Sequence, residues 1–298
     1  MPENLSERND DAAALTARLL RQVRRLEIRA RHMAEDLFAG SYRSVFKGAG
    51  LEFSEVRRYY PGDAISNIDW NVTARAGYPH VKQHMDERLL TVVLVVDVSG
   101  SVQYGSLDRR KRDVAAEVGG LLAFSAIRNH DNVGLMMFTT SVEKYLAPNS
   151  GRTQGLRVIR ELLHHEAEGR GTDIAGALEF VSRVLTRRAI VFLISDFHDE
   201  DFWRPMSVAA KRHDLIAVRL VDPRERTLPD VGLVELVDAE TDRHLVLDTG
   251  SEDYRRALEA LLEERRRKQN QQMARCGVDV IEVPTDGSPI DPLARFFE

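Results

Sequence analysis

Leu89-Leu90-Thr91-Val92-Val93-Leu94-Val95-Val96 is a nearly unbroken β-branched and aliphatic run, and it opens directly onto Asp97-Val98-Ser99-Gly100-Ser101. A strand with one wet face alternates apolar and polar residues, so a run without alternation belongs to a strand covered on both faces. The same signature returns at Val133–Phe138, Ala189–Ile194, Leu215–Val221 and Val278–Val283. Helical patterns lie between these runs at about 107–128, 152–165, 173–187, 203–212 and 252–275. Strand-helix alternation on this scale predicts an α/β fold built on a doubly wound, mostly parallel sheet.

Working outward, one interruption precedes the last long helix. Leu233–Val237 and His244–Leu247 flank a polar hexapeptide, Asp238 to Arg243, which predicts a β-hairpin inserted at about 231–248. The chain before residue 88 differs in kind. Between residues 40 and 87, Gly48, Gly50, Pro61-Gly62-Asp63 and Gly77-Tyr78-Pro79 punctuate short segments, which is turn chemistry. Leu51–Tyr59 and His80–Met85 read as strands that pair in a small β-rich module. Ahead of it, Leu15, Leu19, Val23, Leu26, Ala30, Met33 and Leu37 recur at helical spacing, so residues 1–39 are expected to carry a long amphipathic helix. Its other sides bear Arg18, Arg21, Arg24, Arg25, Arg29 and Arg31. Three units follow: 1–39, 40–87, and an α/β domain over 88–298.

Composition narrows the function classes. The 298 residues are 43% hydrophobic and 30% charged, enough for a sizeable core under a solvated surface. With 42 Lys+Arg against 47 Asp+Glu, the formal charge of -5 does not suit a general nucleic-acid binder. The arginine face of the first helix is therefore read as a solvated face rather than a grip for membrane or nucleic acid. The single cysteine, Cys276, excludes an intramolecular disulfide and a cysteine zinc cluster. No apolar stretch approaches the ~20 residues that cross a bilayer, and Met1-Pro2-Glu3-Asn4 does not begin a secretory leader. A cytoplasmic protein is the expectation.

In an open α/β sheet, ligands sit beyond the carboxyl ends of the strands, near the point where strand order reverses. There the sequence offers Asp97, Ser99 and Ser101 after one buried strand, and Asp196 after another. Thr172 lies in Gly169-Arg170-Gly171-Thr172-Asp173, which leads into a helix. Singly, each hydroxyl could cap a helix and each aspartate could bond loop amides. Together, two carboxylates and three hydroxyls form a hard oxygen donor set suited to Mg²⁺, Mn²⁺ or Ca²⁺.

Asp97-x-Ser99-x-Ser101 with the later Thr172 and Asp196 resembles the metal-ion-dependent adhesion site of von Willebrand factor A domains, in the same order along the chain. The resemblance implies that the hydroxyls bind a divalent ion directly, that the aspartates hold it largely through water, and that an acidic side chain of a partner protein completes the coordination. A second resemblance covers the front. Gly48-x-Gly50-x-Glu52-Phe53, Arg57-x-Tyr59-x-Pro61-Gly62-Asp63 and Ile68-Asp69-Trp70-x-x-Thr73-Ala74-Arg75 look like the signature of the bacterial "domain of unknown function fifty-eight" proteins. Members of that family are commonly encoded beside MoxR-type AAA+ ATPases and are thought to serve them as adaptors or co-chaperones. Many relatives carry transmembrane helices; this sequence departs from them, which favours a cytosolic version. Within the signature, Arg57, Arg58, Asp69 and Arg75 have the charges for ion pairs, and Tyr59 and Trp70 the bulk for a small core.

Enzyme readings fare worse. A haloacid-dehalogenase-type phosphatase needs a second carboxylate two residues after its first aspartate, and Ser99 stands there; an unshifted hydroxyl is a poor proton donor near neutral pH. Val98-Ser99-Gly100 lacks the first glycine of a nucleophile elbow, and no phosphate-cradling glycine loop ending in Lys-Ser/Thr is present. His164-His165 reads as a solvated turn, and Asp199, Glu200 and Asp201 as a solvated acidic loop. The run Arg265-Arg266-Arg267-Lys268 balances Glu259, Glu263 and Glu264 on an outer helix face. The expectation is a non-enzymatic, metal-dependent protein-binding adaptor with Asp97, Ser99, Ser101, Thr172 and Asp196 as its metal residues. A Mg²⁺-dependent phosphohydrolase and a basic-helix membrane or nucleic-acid module are the alternatives.

Overall fold

The computed structural model describes residues 56–60, 68, 70–82, 89–106 and 109–297. The amphipathic helix expected within residues 1–39, the Gly48–Phe53 part of the front signature and its Pro61-Gly62-Asp63 turn lie outside the described residues.

The sheet expected from the apolar runs is present. Six strands, β3 (Thr91–Asp97), β4 (Asn132–Phe138), β5 (Val142–Asn149), β6 (Ile190–Ser195), β7 (Asp214–Val221) and β10 (Asp279–Pro284), lie in the order β10-β7-β6-β3-β4-β5. All neighbours are parallel except β4 and β5. Pleating sends alternate residues of a strand to opposite faces, and β3 shows why its sequence does not alternate. Val92, Leu94 and Val96 enter one core while Val93 and Val95 enter the other. On the first face pack α2 (Lys111–Arg128), α3 (Arg152–His164) and α7 (Ile290–Phe297), through Val118, Leu121, Ile159, Leu162, Leu293 and Phe297. On the second lie α4 (Ile174–Val184), α5 (Trp203–Arg212) and Met273 of α6 (Glu252–Arg275). Every β3 residue after Thr91 is buried. This is the doubly wound, mostly parallel arrangement expected from the sequence.

Two elements of the sheet-and-helix domain escaped the sequence reading. β5 pairs antiparallel at the sheet edge and is only partly covered, so Val142-Glu143-Lys144-Tyr145 mixes polar and apolar residues instead of running apolar. α7 is a short amphipathic helix that lays Leu293 and Phe297 on the first core. β8 (Leu233–Val237) and β9 (His244–Asp248) form an antiparallel ribbon between β7 and α6.

At the front, β1 (Val56–Arg58) pairs antiparallel with β2 (His80–Lys82). The residues between them are not all turn and strand as the glycine spacing suggested. Trp70–Ala76 is a helix, α1, closed by Gly77 at φ 77, whose amide donates to the Thr73 carbonyl at 3.0 Å. A glycine in the left-handed region just past the last turn is a standard helix stop. Trp70 is 67% exposed, so it does not supply the small core expected of it. Arg58 instead stacks over the Tyr78 ring, 4.0 Å from its centroid.

Candidate metal centre

β3 is the strand at which the order reverses, with β4 on one side and β6 on the other. Its carboxyl end delivers Asp97, fully buried, into the crevice between diverging connections. The loop that follows is tied back onto it: the Ser99 amide donates to Asp97 Oδ1 at 2.9 Å. Ser195, the last residue of β6, donates its hydroxyl to Asp97 Oδ2 at 2.6 Å. The same Ser195 oxygen accepts the Phe197 amide at 3.0 Å, which sets the direction of the loop carrying Asp196. Ser99 Oγ lies 3.1 Å from Ser101 Oγ, and the Ser101 hydroxyl is near enough to Asp196 to lower its pKa. Four of the five sequence-selected residues thus form one connected cluster. Thr172 reaches the same rim by a different route. The Gly100 amide donates to the Arg170 carbonyl at 2.7 Å, clipping the 169–173 segment onto the 97–101 loop.

The electrostatics of the cluster are those of crowded anions. Burial, and then the neighbouring Asp196, push the Asp97 carboxyl up to about 7 against the opposing bonds from Ser195 and Ser99. Burial acts on Asp196 in the same sense, but His198, the Lys111 ammonium and the Ser101 hydroxyl outweigh it and hold its pKa below the ordinary value. Two buried, electrostatically coupled carboxylates beside neutral hydroxyls fit a hard divalent cation, whose charge would offset both the burial and the repulsion that raise Asp97. Asp97, Ser99, Ser101, Thr172 and Asp196 are the residues available to hold it.

Two contributors were missed in the sequence. Lys111, at the first position of α2, is 1% exposed and donates from Nζ to Asp196 Oδ2 at 2.8 Å and to Glu225 Oε1. Burial works against its charge, and Asp196 and Glu225 more than restore it. The signal was available, since a helix N-terminus disfavours cations and a lysine there invites a reason. Glu240, in the turn between β8 and β9, accepts the Thr172 hydroxyl at 2.8 Å. Nothing local in the sequence connects positions 68 residues apart.

Ligand atoms of Asp196, His198 and Glu225 also lie within 4.8 Å of one another. Both carboxylates of that trio hold the Lys111 ammonium, and Asp196 is shared between the trio and the cluster around Asp97. The neighbouring acids do not converge. Asp199 accepts the Ile174 amide at 2.9 Å at the start of α4, and Glu200 pairs with Arg265 at 3.2 Å. His165 is not a solvated turn residue as expected: its Nε2 meets Glu143 Oε2 at 2.7 Å. Glu143 also accepts the Thr139 hydroxyl at 2.6 Å and the Gly169 amide at 2.9 Å, fixing the segment that ends in Thr172. Burial opposes its charge, but these bonds, with that from the Glu168 amide, lower its pKa to about 2.

No helix among the described residues is long and apolar enough to cross a membrane. Uncharacterised proteins of Mycobacterium bovis and Mycobacterium tuberculosis are each 32% identical to the chain over 286 residues, covering 94% of it and 89% of the relative. The crystal structure of the conserved hypothetical protein BatB from Bacteroides thetaiotaomicron aligns at a TM-score of 0.45 with 14% identity, covering 69% of this chain and 96% of that one. Residues 55–268 match the family described as protein of unknown function DUF58. With that match spanning most of its length, the chain belongs to the DUF58 family.

Proposed function

We propose that the protein is a divalent-metal-dependent protein-binding adaptor or co-chaperone without catalytic turnover of its own, acting in the cytoplasm on a MoxR-type AAA+ ATPase or its client. The observation that carries the reading is the convergence of Asp97, Ser99, Ser101 and Asp196 into one cluster at the switch point of the sheet, joined by hydrogen bonds and by the electrostatic coupling of the two carboxylates, with the segment that carries Thr172 clipped to its rim. A bound Mg²⁺, Mn²⁺ or Ca²⁺ supplies a Lewis-acidic point to which a carboxylate of another protein can attach. The protein's own groups prepare that point. Ser195 and the Ser99 amide orient Asp97, Lys111 fixes one oxygen of Asp196, and the Ser99 and Ser101 hydroxyls stand side by side. The MoxR-type partner rests on the family's front signature.

Capture of the MoxR-type ATPase by immobilised full-length protein, with Mg²⁺ and with a chelator, tests the reading. Capture is expected only with the metal, and Asp97→Ala is expected to lose it while retaining the native circular dichroism spectrum. Capture undiminished by both changes would refute it.

A further inference from the structure

The ribbon inserted between β7 and α6 returns to the metal-site rim. Its turn, Asp238-Ala239-Glu240-Thr241-Asp242, is a built loop. Asp238 Oδ1 accepts the Glu240 and Thr241 amides at 2.9 and 3.2 Å, and the Asp242 amide donates to the Asp238 carbonyl at 2.9 Å. Three separate contacts seat the turn. Arg170 Nη1 pairs with Asp242 Oδ2 at 2.7 Å. The Ala239 carbonyl approaches Gly100 so closely that a Cβ there would lie 2.6 Å from its oxygen. Glu240 Oε1 accepts from Thr172 Oγ1 at 2.8 Å.

That last distance bears on coordination. Neighbouring oxygens of an octahedral Mg²⁺ shell, with bonds of ~2.1 Å, stand about 3 Å apart. The Ser99–Ser101 pair at 3.1 Å and the Thr172–Glu240 pair at 2.8 Å both have the spacing of adjacent ligands. A Thr172 hydroxyl can bind a cation through its lone pairs while donating its own proton in a hydrogen bond to Glu240.

We propose that Glu240 is itself a ligand of the cation, so that the inserted hairpin supplies in cis the carboxylate that closes the site. The inference rests on reading Asp97, Ser99, Ser101, Thr172 and Asp196 as a metal centre. It adds a sixth residue and a rule of access: a partner's acid gains the metal by displacing Glu240. The ribbon is suited to being displaced, because Leu233, Val237, Leu245 and Val246 are all more than half exposed and anchor it to no core.

The test uses the full chain and Mn²⁺ alone, followed by water-proton relaxation, which reports both occupancy and the water on the bound ion. Removing one carboxylate ligand by Glu240→Ala is expected to weaken Mn²⁺ binding about tenfold or more, and to raise the relaxivity per bound ion as water takes the vacated position. Glu240→Gln, which keeps an acceptor for Thr172, is expected to weaken binding in the same direction. If both variants bind Mn²⁺ with wild-type affinity and relaxivity while Asp97→Ala binds none, the metal centre stands and Glu240 is only a hydrogen-bond acceptor. If the wild-type protein takes up no Mn²⁺ at all, the five-residue centre falls and the role of Glu240 falls with it.

Discussion

Lys111 begins α2 with its side chain 1% exposed, at a helix end whose dipole favours anions. It is tolerated there because it compensates Asp196 and Glu225 together. Removing one member of a buried ion cluster leaves the others charged and unpaired, which costs more than the cluster contributes as a whole. Lys111→Met is therefore expected to lower unfolding free energy by about 3 kcal/mol or more. Chemical denaturation measures this, and a loss below about 1 kcal/mol would show that water already shields both acids. Asp97, Ser99, Ser101 and Asp196 were legible in the sequence because a strand end fixes where the next few side chains go. Lys111 was legible only as an anomaly, a lysine at a helix N-terminus, because the partner that explains it, Asp196, lies 85 residues downstream.

At the scale of elements, the site is assembled by connections rather than by strands alone. β5 brings Glu143 to the segment between α3 and α4, where it gathers the Thr139 hydroxyl, the Gly169 amide and His165. Its carboxyl is lowered to about 2. A depressed carboxylate stabilises the fold fully above its unfolded-state value, near 4.5, and the contribution disappears as pH falls toward 2. The 165–171 amides should accordingly exchange faster at pH 3 than at pH 5, after correction for intrinsic rates, and Glu143→Gln should flatten that difference. Equal protection at both pH values in the wild-type protein would show that the segment is held by something else. The hairpin makes a matching prediction from the other side of the site. Gly100→Ala drives a methyl into the Ala239 carbonyl, so exchange at residues 238–242 should quicken while α2 and β3 stay protected. Unchanged exchange there would mean that the loop at 97–101 yields instead. β5 and α1 were the elements read least well, for one reason: short segments at an edge or on the surface lack the apolar periodicity that reveals buried strands and long helices.

Over the whole molecule, the parallel sheet was legible because burial on both faces forces continuous apolar strands, and five such runs appear in the sequence. The lateral order of those strands places the two aspartates side by side: β3 pairs directly with β6, so Asp97 and Asp196 leave adjacent strand ends. What periodicity could not express is the return of an insertion to the site, since Thr172 and Glu240 meet only after β6 and β7 have been laid down between them. Donors drawn from β3, β6 and the segment before α4 are brought together only in the native chain, so a bound cation acts on folding as a whole. A ligand that binds only the folded form adds RT ln(1 + [L]/Kd), about 2.7 kcal/mol at a hundredfold excess over Kd. For a domain of this size that is a rise of about 5 °C or more in Tm. Mg²⁺ or Mn²⁺ should raise the wild-type Tm by that order and a chelator should reverse it, while Asp97→Ala, already lacking the repulsive carboxylate, should show no shift. An equal rise in Asp97→Ala would place the ion elsewhere on the acidic surface and leave the strand-end cluster without its cation.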